Sequence, residues 1–297
     1  MNIRAAFGNS LKVSALTIWY FICFVIATAV VPLETGPPQT QAEQSKAALA
    51  LIVVCLLNTI VLAYVILNAR WRGWKLIAGM FLILYGVTTF MPQSESAFFL
   101  TRLPAGMVPR LFVFGAIIAI LFSSVAVLIL TIRKPIAAND ESNLPLGTGA
   151  SQWIWKLAVA IVLYVSLYFT FGYFIAWQNP VVRAYYGGSD PGSLLTQMRS
   201  VLVDTPWLLP FQILRALMWI ALGLVTISMM RGRWWKVALA VAALFGVVMN
   251  TQLLLPNPFM PEAVRMTHLV ETATSNLIFG FALVWLFHRR SPSTNQQ

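Results

Sequence analysis

Eight apolar stretches run through the chain, at 13–32, 47–68, 74–91, 108–131, 153–177, 208–230, 234–255 and 266–287. A helix needs about 20 apolar residues to cross a hydrocarbon core about 30 Å thick, so each stretch is long enough to span a bilayer. The third is the shortest, bounded by Trp74 and Pro92, and Pro92 and Pro256 are expected to end the third and seventh spans. Only 10% of the residues are charged and 59% are hydrophobic. A soluble domain carries about 25% and about 45–50% respectively, which excludes a water-soluble fold here, and a disordered chain too. The expected fold is an all-α polytopic transmembrane helical bundle of about eight spans.

The net charge of +11 would suggest nucleic acid in a soluble protein. Here its placement gives a different meaning. With the N-terminus cytoplasmic, the inside segments hold 13 of the 20 Lys and Arg, among them Arg70, Arg72, Lys75, Arg231, Arg233, Lys236, Arg289 and Arg290. Of the nine acids only Asp140 and Glu141 join them, so the inside carries the whole +11 and the rest of the chain balances to zero. That is the positive-inside pattern; it predicts both termini on the cytoplasmic side of a cell membrane and gives no support to nucleic-acid binding. One competing reading takes Arg4, Lys12 and Ala27-Thr28-Ala29 as a cleavable signal peptide. The apolar run is longer than the 7–15 residues typical of a signal h-region, so an uncleaved anchor is expected.

Two halves resemble each other. Arg70-Trp71-Arg72-Gly73-Trp74-Lys75 recurs as Arg231-Gly232-Arg233-Trp234-Trp235-Lys236, each between two spans on the inside. Gly86-Val87 and Gly246-Val247 follow, and Arg110 and Arg265 open the fourth and eighth spans. Tyr20 and Tyr164 sit alike in the first and fifth. The pattern predicts two tandem four-helix repeats, 1–132 and 153–297, joined by a polar cytoplasmic linker at 133–152. Four spans per copy keep the orientation, so the pseudo-symmetry axis would lie along the membrane normal. The alternative is that any two four-span units look alike under positive-inside bias. The copies differ in the outer loop at 178–207, longer than its counterpart at 33–46. Ser189 or Asp190 could cap an amphipathic helix there, with Pro191 in its first turn, lying in the interface as a lid or as packing.

Chemistry is sparse. There is no glycine-rich phosphate loop and no nucleophile elbow. Cys23 and Cys55 lie inside spans at no metal-ligand spacing. His268 and His288 are 20 residues apart on one helix, about 30 Å, so they cannot hold one haem between them. No cofactor, no metal and no catalytic residue is expected, and the chain reads more readily as a non-enzyme.

The informative side chains lie in the second half near the outer side. Glu271 sits about 9 Å into the eighth span and Arg215 about 10 Å into the sixth. Thr267, His268, Thr274 and Ser275 share the helix face of Glu271. Gln212 is one turn from Arg215; Asn250, Gln252, Thr170 and Tyr173 lie at similar depth. Ionisable groups inside a membrane are costly and normally face the bundle interior with a partner. The expected arrangement pairs Arg215 with Glu271, with His268, Asn250, Gln212, Gln252 and Tyr173 as further ligand or proton-relay candidates. The first-half counterparts are Val54 for Arg215, Val113 for His268 and Ala116 for Glu271. Snorkelling of Arg215, or an ion pair that only fixes helix register, is the structural alternative.

The segment from Asn250 to Glu271, with Phe211-Gln212-Ile213-Leu214-Arg215, resembles uncharacterised multi-spanning bacterial membrane proteins. The resemblance covers mainly residues 205–280, implies a cell-membrane location and carries no activity. Partners expected from the residues are the lipid bilayer and a small solute or lipid ligand. The best functional expectation is transport or binding of a small solute at the outer polar site. Two alternatives stand beside it: an intramembrane enzyme acting on a lipid, with His268 or Glu271 as base, and a structural or assembly subunit without a site.

Overall fold

The computed structural model describes residues 3–33, 40–99, 103–132 and 149–288, with side chains from Ser10 onward in the first segment. Most of the linker expected at 133–152, with Asp140 and Glu141, lies outside the described residues, as do Arg289 and Arg290. Among the described residues every long element is helical and no strand forms.

Among the described residues ten helices follow one another. They are α1 (Ile3–Val30), α2 (Gln41–Leu67), α3 (Gly73–Phe99), α4 (Met107–Thr131), α5 (Ala150–Ala176), α6 (Pro180–Tyr186), α7 (Leu194–Asp204), α8 (Leu208–Met229), α9 (Trp234–Leu254) and α10 (Glu262–His288). All but α6 and α7 are long and apolar enough to cross a membrane, which makes eight spans and the architecture of a multi-pass membrane protein.

Local chemistry explains the ends. Thr40 caps α2 through a capping box: its amide donates to Glu43 Oε2 at 2.8 Å, and the Glu43 amide donates to Thr40 Oγ1 at 3.3 Å. The loop helix α7 starts later than Ser189 or Asp190. Its cap is Ser193, whose Oγ accepts from the Thr196 amide, while Asp190 Oδ1 takes the Gly192 amide in the preceding turn. Gly192 holds φ +63°, a left-handed turn that a residue with a Cβ resists. A second short helix, α6, is capped by Asn179 with Pro180 in its first turn.

Three spans contain a single π turn, at Gly86–Phe90 in α3, Gly172–Ala176 in α5 and Leu244–Val248 in α9. The first corrects an expectation. Pro92 does not end the third span; the helix runs through it to Phe99. In the π turn the Met91 amide donates to Gly86 five residues back, which loosens the carbonyl ladder before the proline. Pro92 then removes a donor at little cost. Pro256, by contrast, lies beyond the end of α9.

In each half the last long helix is the hub. α4 packs on α1, α2 and α3, and α10 packs on α5, α8 and α9. The halves meet by exchange, α2 lying on α9 and α3 on α8. Glycine permits the closest approach: a Cβ on Gly280 of α10 would stand 2.9 Å from the Ala242 backbone of α9. Below the polar level, Trp219, Phe245 and Phe279 fill the second half, with ring centroids 4.5 Å and 6.3 Å apart. At the other end of the bundle, which carries the basic clusters, the α2–α3 and α8–α9 turns pair. Ala69 and Met230 form an antiparallel bridge, the Arg70 amide donates to the Met229 carbonyl at 2.8 Å, and the Arg231 amide donates to the Asn68 carbonyl at 2.9 Å.

Candidate functional site

Arg215 is buried on α8 and its partner is not Glu271. Its Nη2 donates to Glu95 Oε2 at 2.7 Å, and its Nη1 donates to Gln212 Oε1 at 3.3 Å. The guanidinium also lies 5.9 Å from the Phe211 ring, within cation–π range. Glu95 comes from α3, three residues past Pro92. The expected span end at Pro92 hid it, because the helix continues past the proline and carries Glu95 with it. A proline one turn after a Gly-Val-Thr-Thr-Phe sequence that bulges was the only cue, and no helical wheel of constant pitch reads it.

Glu271 pairs with His268, one turn away on α10, its Oε2 lying 2.7 Å from Nδ1. The other ring nitrogen of His268 meets the Tyr186 hydroxyl of α6 at 3.1 Å. A row of polar contacts thus runs from α6 through the imidazole to the carboxylate. Burial pushes the Tyr186 phenol well above its ordinary range, and the charges of Glu95 and Glu271 add to the effect, so it remains a neutral hydroxyl. The Glu271 Oε1 oxygen faces Gly172 in the π turn of α5, where a Cβ would sit 3.4 Å away.

Both carboxylates and the guanidinium line one cavity. Glu95, Arg215 and Glu271 share it with Tyr164 and Tyr168 of α5, Thr272, Ser275, Asn276 and Phe279 of α10, and Met249 of α9. The space in it open to water is about 30 Å³. One water needs about 10–15 Å³ by that measure, so the space suits two or three waters or a solute of similar size. Arg215 Nε and Gln212 Nε2 are fully enclosed donors with no hydrogen-bond partner among the described residues. Side-chain donors in that state cost free energy unless a ligand or water accepts from them.

The other candidates take different places. Asn250 is structural: its Nδ2 donates to the Gly246 and Phe245 carbonyls, which the π turn of α9 loosens, and its Oδ1 accepts from Thr272 Oγ1. Tyr173 donates to the Gly192 carbonyl at 2.6 Å and ties α5 to the loop before α7. Gln252 sits half-buried in the closing turn of α9 and does not line the cavity. Of the polar face of α10, Ser275 reaches the cavity. Thr267 accepts from Asn179, and Thr274 is exposed and bonds its own helix, as exposed Thr170 faces away on α5. Among the described residues no group of three His, Cys, Asp or Glu could hold a metal ion, and Cys23 and Cys55 are buried free thiols.

Chemically, the arrangement can hold one small polar guest between a guanidinium and a carboxylate, and it can hold a proton at His268. Compared with known proteins, the chain matches no family model, no curated protein and no solved structure.

Proposed function

We propose that this multi-pass membrane protein binds a small solute in the Glu95–Arg215–Glu271 cavity and passes it across the membrane. The supporting observation is the cavity itself. Three ionisable side chains from three spans, α3, α8 and α10, converge on one small space. Intramembrane charges carry a cost of several kcal/mol, which a solute site explains.

The same proposal takes the chain as two tandem four-helix units with the basic end in the cytoplasm of a cell membrane. The paired turns support it. Aligning Arg70 with Arg231 sets Asn68 against Met229, so the two backbone hydrogen bonds exchange and Ala69 pairs with its own counterpart, Met230. Any antiparallel bridge exchanges its hydrogen bonds so; what fits a two-fold relation is that the residues paired are the ones the repeat aligns. On this reading the cavity lies at outer-leaflet depth between the units, closed on the inner side by Trp219, Phe245 and Phe279.

The test is uptake into proteoliposomes of radiolabelled ethanolamine, methylammonium, acetate and glycine. At least one should enter faster than into protein-free vesicles, and Arg215→Ala and Glu271→Gln should each reduce its entry at least about tenfold while the protein still folds. Equal entry in both variants, or none in the parent protein, sinks the proposal. Both pairs, Arg215 with Glu95 and His268 with Glu271, are closed at 2.7 Å, which favours a second reading as a purely structural lock. That reading expects a double-mutant cycle of Arg215 and Glu95 to register only in stability.

A further inference from the structure

We infer that the solute is a small organic ammonium that also carries an oxygen acceptor, of the amino-alcohol type, and that it leaves when His268 takes up a proton. The inference rests on the cavity being a solute site, as proposed above.

Charge decides the cationic part. The guanidinium of Arg215 is engaged by Glu95 at 2.7 Å. The second carboxylate, Glu271, has only His268 as a partner. With the imidazole neutral, the cavity wall carries two carboxylates and one guanidinium, an excess of one negative charge. An anion would have to displace Glu95 and would then face Glu271. An ammonium instead completes the balance, and the rings of Tyr164, Tyr168 and Phe279 around it offer π faces.

An under-used donor decides the other end. Asn276 lines the cavity, and its Nδ2 donates to the Met249 thioether at 3.7 Å, a weak acceptor. A bare ammonium would leave it so; a hydroxyl oxygen would accept from it. Size sets the length. Two hydrogen-bonded waters lie about 2.8 Å apart, close to the nitrogen–oxygen separation of a folded vicinal amino alcohol. The space of about 30 Å³ holds little more.

The proton enters as a competitor. An imidazole changes charge between about pH 5 and 8. When His268 is cationic it neutralises Glu271 directly, and the cavity no longer seeks a second cation. The groups that face this pair are Tyr186 from α6, Tyr168 from α5, Arg215 from α8 and Glu95 from α3; α9 presents Met249 and Asn250, which do not titrate. One proton in, one ammonium out, leaves the charge of the site unchanged.

The experiment is calorimetric titration of the full chain in detergent micelles with ethanolamine, methylammonium and acetate, at about pH 8 and about pH 5.5. Ethanolamine should bind most tightly at the higher pH and at least about tenfold more weakly at the lower. Methylammonium should bind more weakly than ethanolamine, and acetate not at all. His268→Gln should keep binding and lose the pH dependence. Glu271→Gln should lose binding at both pH values. Gly172→Ala, which adds a methyl beside Glu271 Oε1 without touching a charge, should weaken it in a chain that folds. Tighter binding of acetate, or of ethanolamine at the lower pH, overturns the ammonium assignment and leaves the cavity as a solute site. Binding by none of the three overturns both.

Discussion

At the level where the second half holds its charges, the first half is sealed with rings. Both halves carry the same marker, a tyrosine of the first span against a phenylalanine of the fourth: Tyr20 with Phe122 at 4.8 Å, and Tyr164 with Phe279 at 5.2 Å. Four residues on from each tyrosine and eight back from each phenylalanine are Phe24 and Phe114 in one half, Tyr168 and Glu271 in the other. Phe24 and Phe114 meet edge to face at 5.1 Å, whereas Tyr168 and Glu271 line the cavity. This registration puts Phe114 opposite Glu271, where the repeat spacing alone pointed to Ala116. Under the proposed repeat, Val54, buried on α2, corresponds to Arg215 on α8, and Thr89 against Gly115 corresponds to Asn250 against Thr272. On that proposal one helical frame accepts an apolar plug in one copy and a polar cavity in the other. The difference teaches that the frame does not need the charges, since the first half forms its four spans without them.

The sharpest way to break the comparison is to put a charge into the sealed half. Phe114→Glu removes a ring from a buried edge-to-face contact and adds a carboxylate whose basic neighbour on the helix is the exposed Arg110, one turn back. The loss should be on the order of 5 kcal/mol, from the ring and the charge together, enough to abolish folded protein in a detergent gel-filtration profile. Monodisperse protein at parent yield would show that the first half also tolerates a polar cavity, and the contrast would fall.

The next effect is smaller because one partner is partly exposed. Glu95→Ala leaves Arg215 buried without its carboxylate; with the Glu95 side chain 30% exposed, the cost should be about 2–3 kcal/mol, below the full value for a buried pair. Pairing it with Arg215→Met should recover most of that, measured by thermal unfolding in micelles, because the second half would then resemble the first at Val54. A double variant as unstable as Glu95→Ala would mean that the guanidinium stem, and not its charge, fills the site.

The helical frame was legible in the chain, and most of the site was not, for a physical reason. Spans announce themselves through long runs of apolar residues, which depend on composition and tolerate errors of a few positions. Facing depends on pitch. Each π turn adds a residue to one turn and rotates everything beyond it, so Tyr173, inside the π turn of α5, points to Gly192 rather than to the cavity. Beyond the π turn of α3, the continued helix brings Glu95 to Arg215. Arg215, Glu271 and His268 were found because intramembrane charges are conspicuous wherever they face. Their pairing was missed because the true partner lay past a proline that ordinarily stops a helix.

The mildest test separates the hydrogen-bonded row from the charges it serves. Tyr186→Phe deletes only the hydroxyl that meets His268 at 3.1 Å. The expected loss of stability is about 1 kcal/mol, an ordinary hydrogen bond. The hydroxyl can donate to a neutral imidazole or accept from a cationic one, so the loss should be flat from about pH 6 to about pH 9, across the titration of the imidazole. Burial raises the folded phenol above the ordinary value of 10.0, so its stabilisation is complete below that pH and lost as the pH rises through the folded value. The gap between parent and variant should accordingly narrow above about pH 10. Thermal unfolding in micelles across that range reads both features. A gap that instead opens between pH 6 and 9 would mean that Tyr186 selects one charge state of His268, and the row would then set the proton affinity of the cavity and not merely brace it.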